Sequence, residues 1–162
     1  MPDGPRPNGP RYDDDFYAWT QYQAEVLRTL RTRDNRFDRE HVAEEIEDLG
    51  KSERDTMESQ ISRVIEHFLK LAHSPADPPR YGWMGSISDA RQILRKKLTP
   101  TLCRHAEHKF AELYEDAREA AELALRGYGE HEAAAALPLT SPYTLAQVLA
   151  RGWYPDPPGT AS

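Results

Sequence analysis

Between residues 12 and 154 the apolar positions recur every three or four residues, and no stretch shows four or more alternations of β-branched and polar residues. That spacing is the signature of amphipathic helices, so the chain reads as all-α: a helical bundle of about five to six helices with one long central helix. A first helix begins after Asp13 to Asp15, whose carboxylates suit the positive end of a helix dipole, and runs to about Arg33. Phe16, Trp19, Val26, Leu27 and Leu30 form its inward stripe. "RDNRF" then leads to Asp38, a good N-cap, and to a helix with Val42, Ile46 and Leu49 inward. The pattern resumes at Met57 with Ile61, Val64, Ile65, Phe68 and Leu71. "SPADPPRYGWMG", residues 74 to 85, stops any helix, because proline removes a backbone donor and fixes φ. Ser86 or Ser88 caps a shorter helix carrying Ile87, Ala90, Leu94 and Leu98, with Lys96 and Lys97 in its last turn. Thr99-Pro100 restarts the chain as N-cap and first helical residue, and Leu102, Ala106, Phe110, Leu113, Ala117, Ala120 and Ala124 step along one face toward Gly127. In "SPYTLAQVLA", Thr144 caps a last short helix. No repeat recurs at a period of 20 to 50 residues, which argues against a solenoid.

Composition places limits on this picture. A chain of 162 residues accommodates one domain with a real core. Residues 12–154 are read as that single domain. Residues 1–11, dominated by Pro, Gly and Asn, and residues 155–162 are read as disordered tails. Hydrophobic residues make up 38% and mean hydropathy is −0.80, normal for helices apolar on one stripe only. The formal net charge of −6 demotes nucleic acid and anionic membranes as partners, since both call for a positive field. Cys103 is the only cysteine, which rules out an internal disulfide and fits a reducing cytoplasm. No apolar run is long enough to cross a bilayer, so the expectation is a cytoplasmic protein with no membrane partner.

"EEIEDLGKSE", residues 44 to 53, carries the most ambiguous chemistry. Its GKS ending resembles the tail of a phosphate-binding loop, but such a loop needs glycine where Glu45 stands and must follow a buried strand. Glu45 would repel a phosphate. The alternative account of Gly50 is geometric. At about 100° per residue, Ile46, Gly50, Met57, Ile61, Val64 and Phe68 stay in phase on one stripe. This favours a single long helix from about Asp38 to His73, with Gly50 letting a neighbour approach closely. The rival is a hinge, with Gly50 ending one helix and Ser52 and Asp55 beginning another.

The hinge would allow Glu45 to meet His67, whereas a continuous helix holds them about 33 Å apart. His41-x-x-Glu44-Glu45 narrowly misses an inverted zinc-protease pattern, because Glu stands where the last His is required. His41, Glu45 and His67 are therefore the candidate ligands of a divalent metal, with a surface ion-pair role for His41 and Glu45 as the plainer explanation. His105-x-x-His108 with Glu112 is a second cluster, equally well explained as a solvated helix face. No Glu-x-x-His pair of the di-iron type and no Gly-x-Ser-x-Gly elbow occurs, and the reading leans away from an enzyme. No cofactor is predicted beyond the divalent-metal option. In "RQILRKK", Arg91, Arg95, Lys96 and Lys97 could grip phosphates, or simply complement a helix end.

"YDDDFYAWTQYQAEVLR", Asp38 before "EEIEDLGKSE", "HFLK" at 67 to 70, Trp83 and "SPYTLAQVL" together resemble the bacterial family catalogued as domain of unknown function twenty-nine, over about residues 12 to 154. The resemblance implies an α-helical bacterial protein without an established activity. It also implies that the family's recurring polar positions fall here on Asp15, Trp19, Glu44, Glu45, His67, Lys70 and Trp83. The functional expectation is a small cytoplasmic protein-interaction or regulatory module, with a protein partner or homo-oligomer. Its motive is an aromatic excess (Tyr12, Phe16, Tyr17, Trp19, Tyr22, Tyr81, Trp83, Trp153, Tyr154), which either forms a partner surface or seals the bundle ends. The alternatives are a metal-dependent protein or enzyme using Glu44, Glu45 and His67, and nucleic-acid binding through Arg91, Arg95, Lys96 and Lys97.

Overall fold

Asp15 sits in an extended conformation and its Oδ1 accepts the Ala18 N–H at 3.0 Å, which starts helix α1 (Phe16–Thr29). Five further helices follow in a computed structural model that describes residues 8–160: α2 (Arg39–His73), α3 (Arg80–Lys97), α4 (Pro100–Gly127), α5 (His131–Ala135) and α6 (Leu145–Leu149). No strand occurs among the described residues, so the chain is all-α. The contacts divide it into two units, one formed by residues through Thr56 with Leu98–Arg104, the other by Met57–Lys97 with the residues from His105 onward.

The first unit is built on an α1–α2 hairpin. α1 stops at Thr29, four residues short of the expected Arg33, and there the Thr29 hydroxyl donates to the Glu25 and Val26 carbonyls. Beyond it, Thr32 Oγ1 accepts the Asp34 N–H and Asp34 Oδ1 accepts the Arg36 N–H. Such local bonds give the backbone partners that a helix would otherwise supply. Asp38 then caps α2 as expected, its Oδ1 accepting the His41 N–H. The two helices meet along small residues: Thr20 and Ala24 on α1, Ala43 and Gly50 on α2, all buried. α2 runs unbroken through Gly50, which settles the hinge question in favour of the continuous helix. A Cβ on Gly50 would stand 2.1 Å from Thr20 Oγ1, so the glycine is there to let α1 approach. At the other end of α1, Asp15 Oδ2 accepts the Thr101 N–H at 2.8 Å, while Thr99 Oγ1 caps α4 through the Leu102 N–H.

The second unit holds the larger core. The later part of α2 contributes Met57, Ile61, Val64, Ile65, Phe68, Leu69 and Leu71, all essentially inaccessible. α3 adds Trp83, Ile87, Ala90 and Leu94, and α4 adds Ala106, Leu113, Tyr114, Ala117, Ala121 and Leu125. In the last turns of α4 the buried stripe runs through Ala121 and Leu125; Ala120, placed inward by the sequence reading, is exposed. The Ser62 hydroxyl donates to the Leu113 carbonyl, and the Tyr114 hydroxyl and Arg118 Nε both donate to the Pro138 carbonyl. α6 begins with a full capping box, Thr144 Oγ1 accepting from the Gln147 N–H and Gln147 Oε1 from the Thr144 N–H.

Two elements depart from expectation. α3 starts at Arg80, inside the stretch read as a helix stop, so Trp83 lies on a helix and its N–H donates to the Pro79 carbonyl. Prolines at a helix start cost nothing, and burial of the Trp83 ring outweighs the poor helix propensity of Gly82 and Gly85. α5 fills part of a segment read as a connector, "GYGEHEAAAALP", with Ala134 and Leu137 buried. Of the two tails read as disordered, residues 1–7 and 161–162 lie outside the described residues. Within residues 8–11 and 155–160, Gly9 packs on the Tyr22 ring and Thr160 bonds back to the Pro157 carbonyl.

Candidate functional site

The hairpin of the first unit has two unlike sides. Arg28 donates to Glu47 Oε2 at 3.0 Å and Gln21 donates to the Glu47 carbonyl, which puts these three residues on one side of the α1–α2 contact line. At about 100° per residue, Glu47 lies about 60° to that side of Gly50, while Ile46, Val42 and Leu49 lie about 40°, 80° and 100° to the other. Trp19 and Val26 on α1, and Leu30 at its C-cap, lie about 80° to 120° from Thr20 on the side away from Arg28 and Gln21. One side therefore carries Glu47, Arg28 and Gln21, while the other carries the aliphatic residues, with Gln23 and Glu53 about 60° from the contact line on the same side.

Val26, Leu30, Val42 and Leu49 on that apolar side are 38%, 43%, 37% and 55% exposed, and Phe37 at the hairpin tip is also exposed. The sequence reading placed all four of the helical residues inward. The correction has a steric cause. The inward positions are held by Thr20, Ala24, Ala43 and Gly50, whose small side chains bring the backbones too close for a leucine to fit between them.

The residues singled out by the family resemblance do not gather into one site. Asp15 is a double cap. Burial works to raise its pKa, but bonds from the Ala18 and Thr101 N–H groups and from the Thr101 and Thr99 hydroxyls outweigh it, holding the carboxyl below the usual aspartate range. Trp19 packs with Tyr12, edge to face at 4.9 Å, and with Phe16, stacked at 5.9 Å. Glu44 and Glu45 are exposed on α2. His41 is exposed, and its Nδ1 lies 2.6 Å from Asp38 Oδ2, a hydrogen bond that raises the imidazole pKa. His67 stands 22 residues beyond Glu45 on the same unbroken helix, so His41, Glu45 and His67 do not converge. Among the described residues no group of three or more His, Cys, Asp and Glu side chains is placed to hold a metal ion.

In the second unit, burial pushes the His67 pKa down to about 4, aided by the Lys70 charge and then Arg63 and opposed by Glu66; its Nδ1 is buried without a partner. Lys70 is buried and donates to Glu66 Oε1 at 2.5 Å. His105 pairs with Glu58 at 2.5 Å, which leaves His108 exposed on the outer face and dissolves the His-x-x-His cluster. Arg91 is the residue sequence reasoning misplaced most. It is buried, its Nε donates to the Val148 carbonyl, its Nη2 donates to the Gln147 and Trp153 carbonyls, and its guanidinium lies 5.4 Å from the ring centroids of Phe68 and Tyr154. It caps the C-terminal end of α6. It does not face solvent as a phosphate ligand would, whereas Arg95 and Lys96 are exposed. A helical period of buried positions through Ile87, Ala90, Arg91 and Leu94 was the available signal.

The aromatic excess is largely absorbed by internal packing. Phe68, Tyr143 and Trp153 form an edge-to-face trio with centroids 5.1 to 6.2 Å apart, and Trp83 is buried; Tyr81 and Tyr12 remain well exposed. A recess of the second unit, about 760 Å³, is lined by His73, Pro75, Glu130, His131 and Pro158 among others. Glu130 Oε1 accepts the Ser74 hydroxyl there.

An all-α chain with side-chain-capped helices is what the geometry defines as a class. By family, this chain belongs to DUF29, a domain of unknown function, whose model matches residues 11–154. It is similar in structure to an α-helical protein of unknown function from Rhodospirillum rubrum, with a TM-score of 0.78 and 25% identity, the match covering 89% of this chain and 92% of that one. No curated protein matches it. Neither finding carries an established activity. No helix of the described residues is long and apolar enough to cross a membrane.

Proposed function

We propose that this chain is a protein-interaction module whose docking face is the apolar side of the α1–α2 hairpin. One observation carries the reading. Val26, Leu30, Val42 and Leu49 have the spacing and identity of core residues, yet each is more than a third exposed. Aliphatic surface left exposed on one side of a helix pair is what a partner buries. A cytoplasmic setting for this module is supported by the single cysteine, half-buried on α4, and by the absence of disulfide bracing.

Site-specific photo-crosslinking in the producing cell tests the proposal. A benzophenone amino acid is placed at position 49 and, as a control, at position 139, where Leu139 is 80% exposed in the other unit. The expected result is a discrete adduct from position 49 and none from position 139. Absence of an adduct at 49, or equal labelling at both positions, would refute the docking face.

A further inference from the structure

Resting on the reading that the hairpin face docks a protein, we infer that its occupant is a second copy of this chain, laid antiparallel across the same face about a two-fold axis. Charge along the hairpin favours this occupant. From Arg28 to Glu40 the hairpin tip carries five arginines against two aspartates and one glutamate. Thr20 lies opposite Gly50, and this register sets Asp13 to Asp15 at about the level of Glu53 and Asp55, so the far end of the hairpin is acidic. Most of these charges are satisfied locally: Arg28 by Glu47, Arg36 by Asp34, Arg39 by Glu40, Asp38 by His41, Asp14 by Arg11 and Asp55 by Arg54, while Asp15 caps α1 and α4. Arg31 and Arg33 at the tip and Asp13 at the far end make no ion pair among the described residues.

A two-fold interface uses one patch twice and must therefore be self-complementary. A face with one sign of charge would repel its own copy, and a parallel pairing would set tip against tip. An antiparallel pairing carries each arginine-rich tip to the acidic end of the other copy and stacks the Val26, Leu30, Val42 and Leu49 patches between them. The product is a four-helix arrangement with an apolar centre and an ionic rim, in which a patch exposed in the single chain becomes core.

The size of the face sets the strength. α1 has 14 residues, about 21 Å of helix, and two helices side by side are about 20 Å wide. The footprint is about 400 Å² per copy, or about 800 Å² for the pair, below the roughly 1,200 Å² at which specific stable interfaces begin. An interface of this size falls in the weak, reversible class.

Sedimentation velocity of the full chain from about 1 µM to about 300 µM, at about 0.05 M and about 0.5 M NaCl, tests this. The expected result is a monomer at the dilute end and a dimer at the concentrated end. Leu49→Glu and Val42→Glu should stay monomeric throughout with unchanged helicity, because both positions are exposed and glutamate is a good helix former. Arg31→Glu with Arg33→Glu should weaken the dimer about five-fold or more at low salt and little at high salt, and mixing it with Asp13→Arg should restore a hetero-dimer. A monomer at every concentration overturns the inference, as does a dimer that survives both Leu49→Glu and Val42→Glu. The crosslinking experiment separates the two ideas: an adduct of position 49 with a different protein keeps the docking face and removes the second copy, while no adduct removes both.

Discussion

Gly50→Ala is the sharpest test of how α1 and α2 meet. In an isolated helix the change is favourable by about 1 kcal/mol, because alanine restricts the unfolded chain and glycine does not. In this hairpin the new methyl would stand 2.1 Å from Thr20 Oγ1, 2.7 Å from Gln21 Nε2 and 3.2 Å from Thr20 Cβ. Gln21 is long and can swing aside. Thr20 cannot: it is β-branched, fully buried, and its hydroxyl donates to the Tyr17 carbonyl at 2.7 Å. The helices must separate by more than 1 Å. Overpacking of this kind costs about 2–3 kcal/mol, and offset by the propensity gain it leaves a net loss of about 1–2 kcal/mol. For a chain of this length that lowers Tm by about 2–8 °C. Urea unfolding followed by circular dichroism measures it, and a double-mutant cycle isolates the cause. In a Thr20→Ala background the obstructing hydroxyl is gone, so Gly50→Ala should be neutral or stabilising by up to about 1 kcal/mol, giving a coupling of at least about 1 kcal/mol. If Gly50→Ala stabilises the wild-type chain, or if the cycle shows no coupling, the close approach at Gly50 is wrong.

Three further outcomes follow from the buried polar groups. Arg91→Ala leaves the Gln147, Val148 and Trp153 carbonyls without their donor and should cost about 3–5 kcal/mol, with residues 141–160 becoming sensitive to limited proteolysis; Arg91→Lys should restore less than half, since an ammonium cannot fork to three carbonyls. His67 is held neutral in the fold, so its unfolded form takes up a proton first; stability should be complete above about pH 6.5 and fall toward about pH 4, and His67→Gln should flatten that part of a thermal-melt pH profile. Asp15 has a depressed pKa, so its contribution is present above the ordinary aspartate value of about 4 and is lost below it. Asp15→Ala should cost about 1–2 kcal/mol at pH 7 and much less at pH 3 in urea melts.

Local signals were well written into the chain. Asp15, Asp38, Thr99 and Thr144 each accept a backbone N–H at the helix start they were read to mark, because a cap is decided within four residues. Phase alone predicted that α2 continues through Gly50, and the core stripe from Met57 to Leu71 follows the same periodicity. The start of α3 was not legible, since prolines and glycines at residues 78 to 85 argue locally for a stop and only burial of Trp83 overrules them. The family-implied residues were legible as positions without roles. Asp15 acquires its second role from Thr101, 86 residues away, which no local pattern announces.

The sequence by itself determined the all-α class, the continuity of α2 and the caps that start α1, α2, α4 and α6, because those depend on spacing and on neighbours a turn away. It also excluded a phosphate loop at Gly50, since Glu45 occupies the place where glycine is needed. Which stripe faces inward was decided only in three dimensions. In the hairpin two stripes compete for the contact line, and the small one wins because Thr20, Ala24, Ala43 and Gly50 permit a closer approach than Val26, Leu30, Val42 and Leu49 would. Periodicity cannot rank two faces that differ in packing distance. Tertiary packing likewise buries Arg91 against helix carbonyls in the second unit.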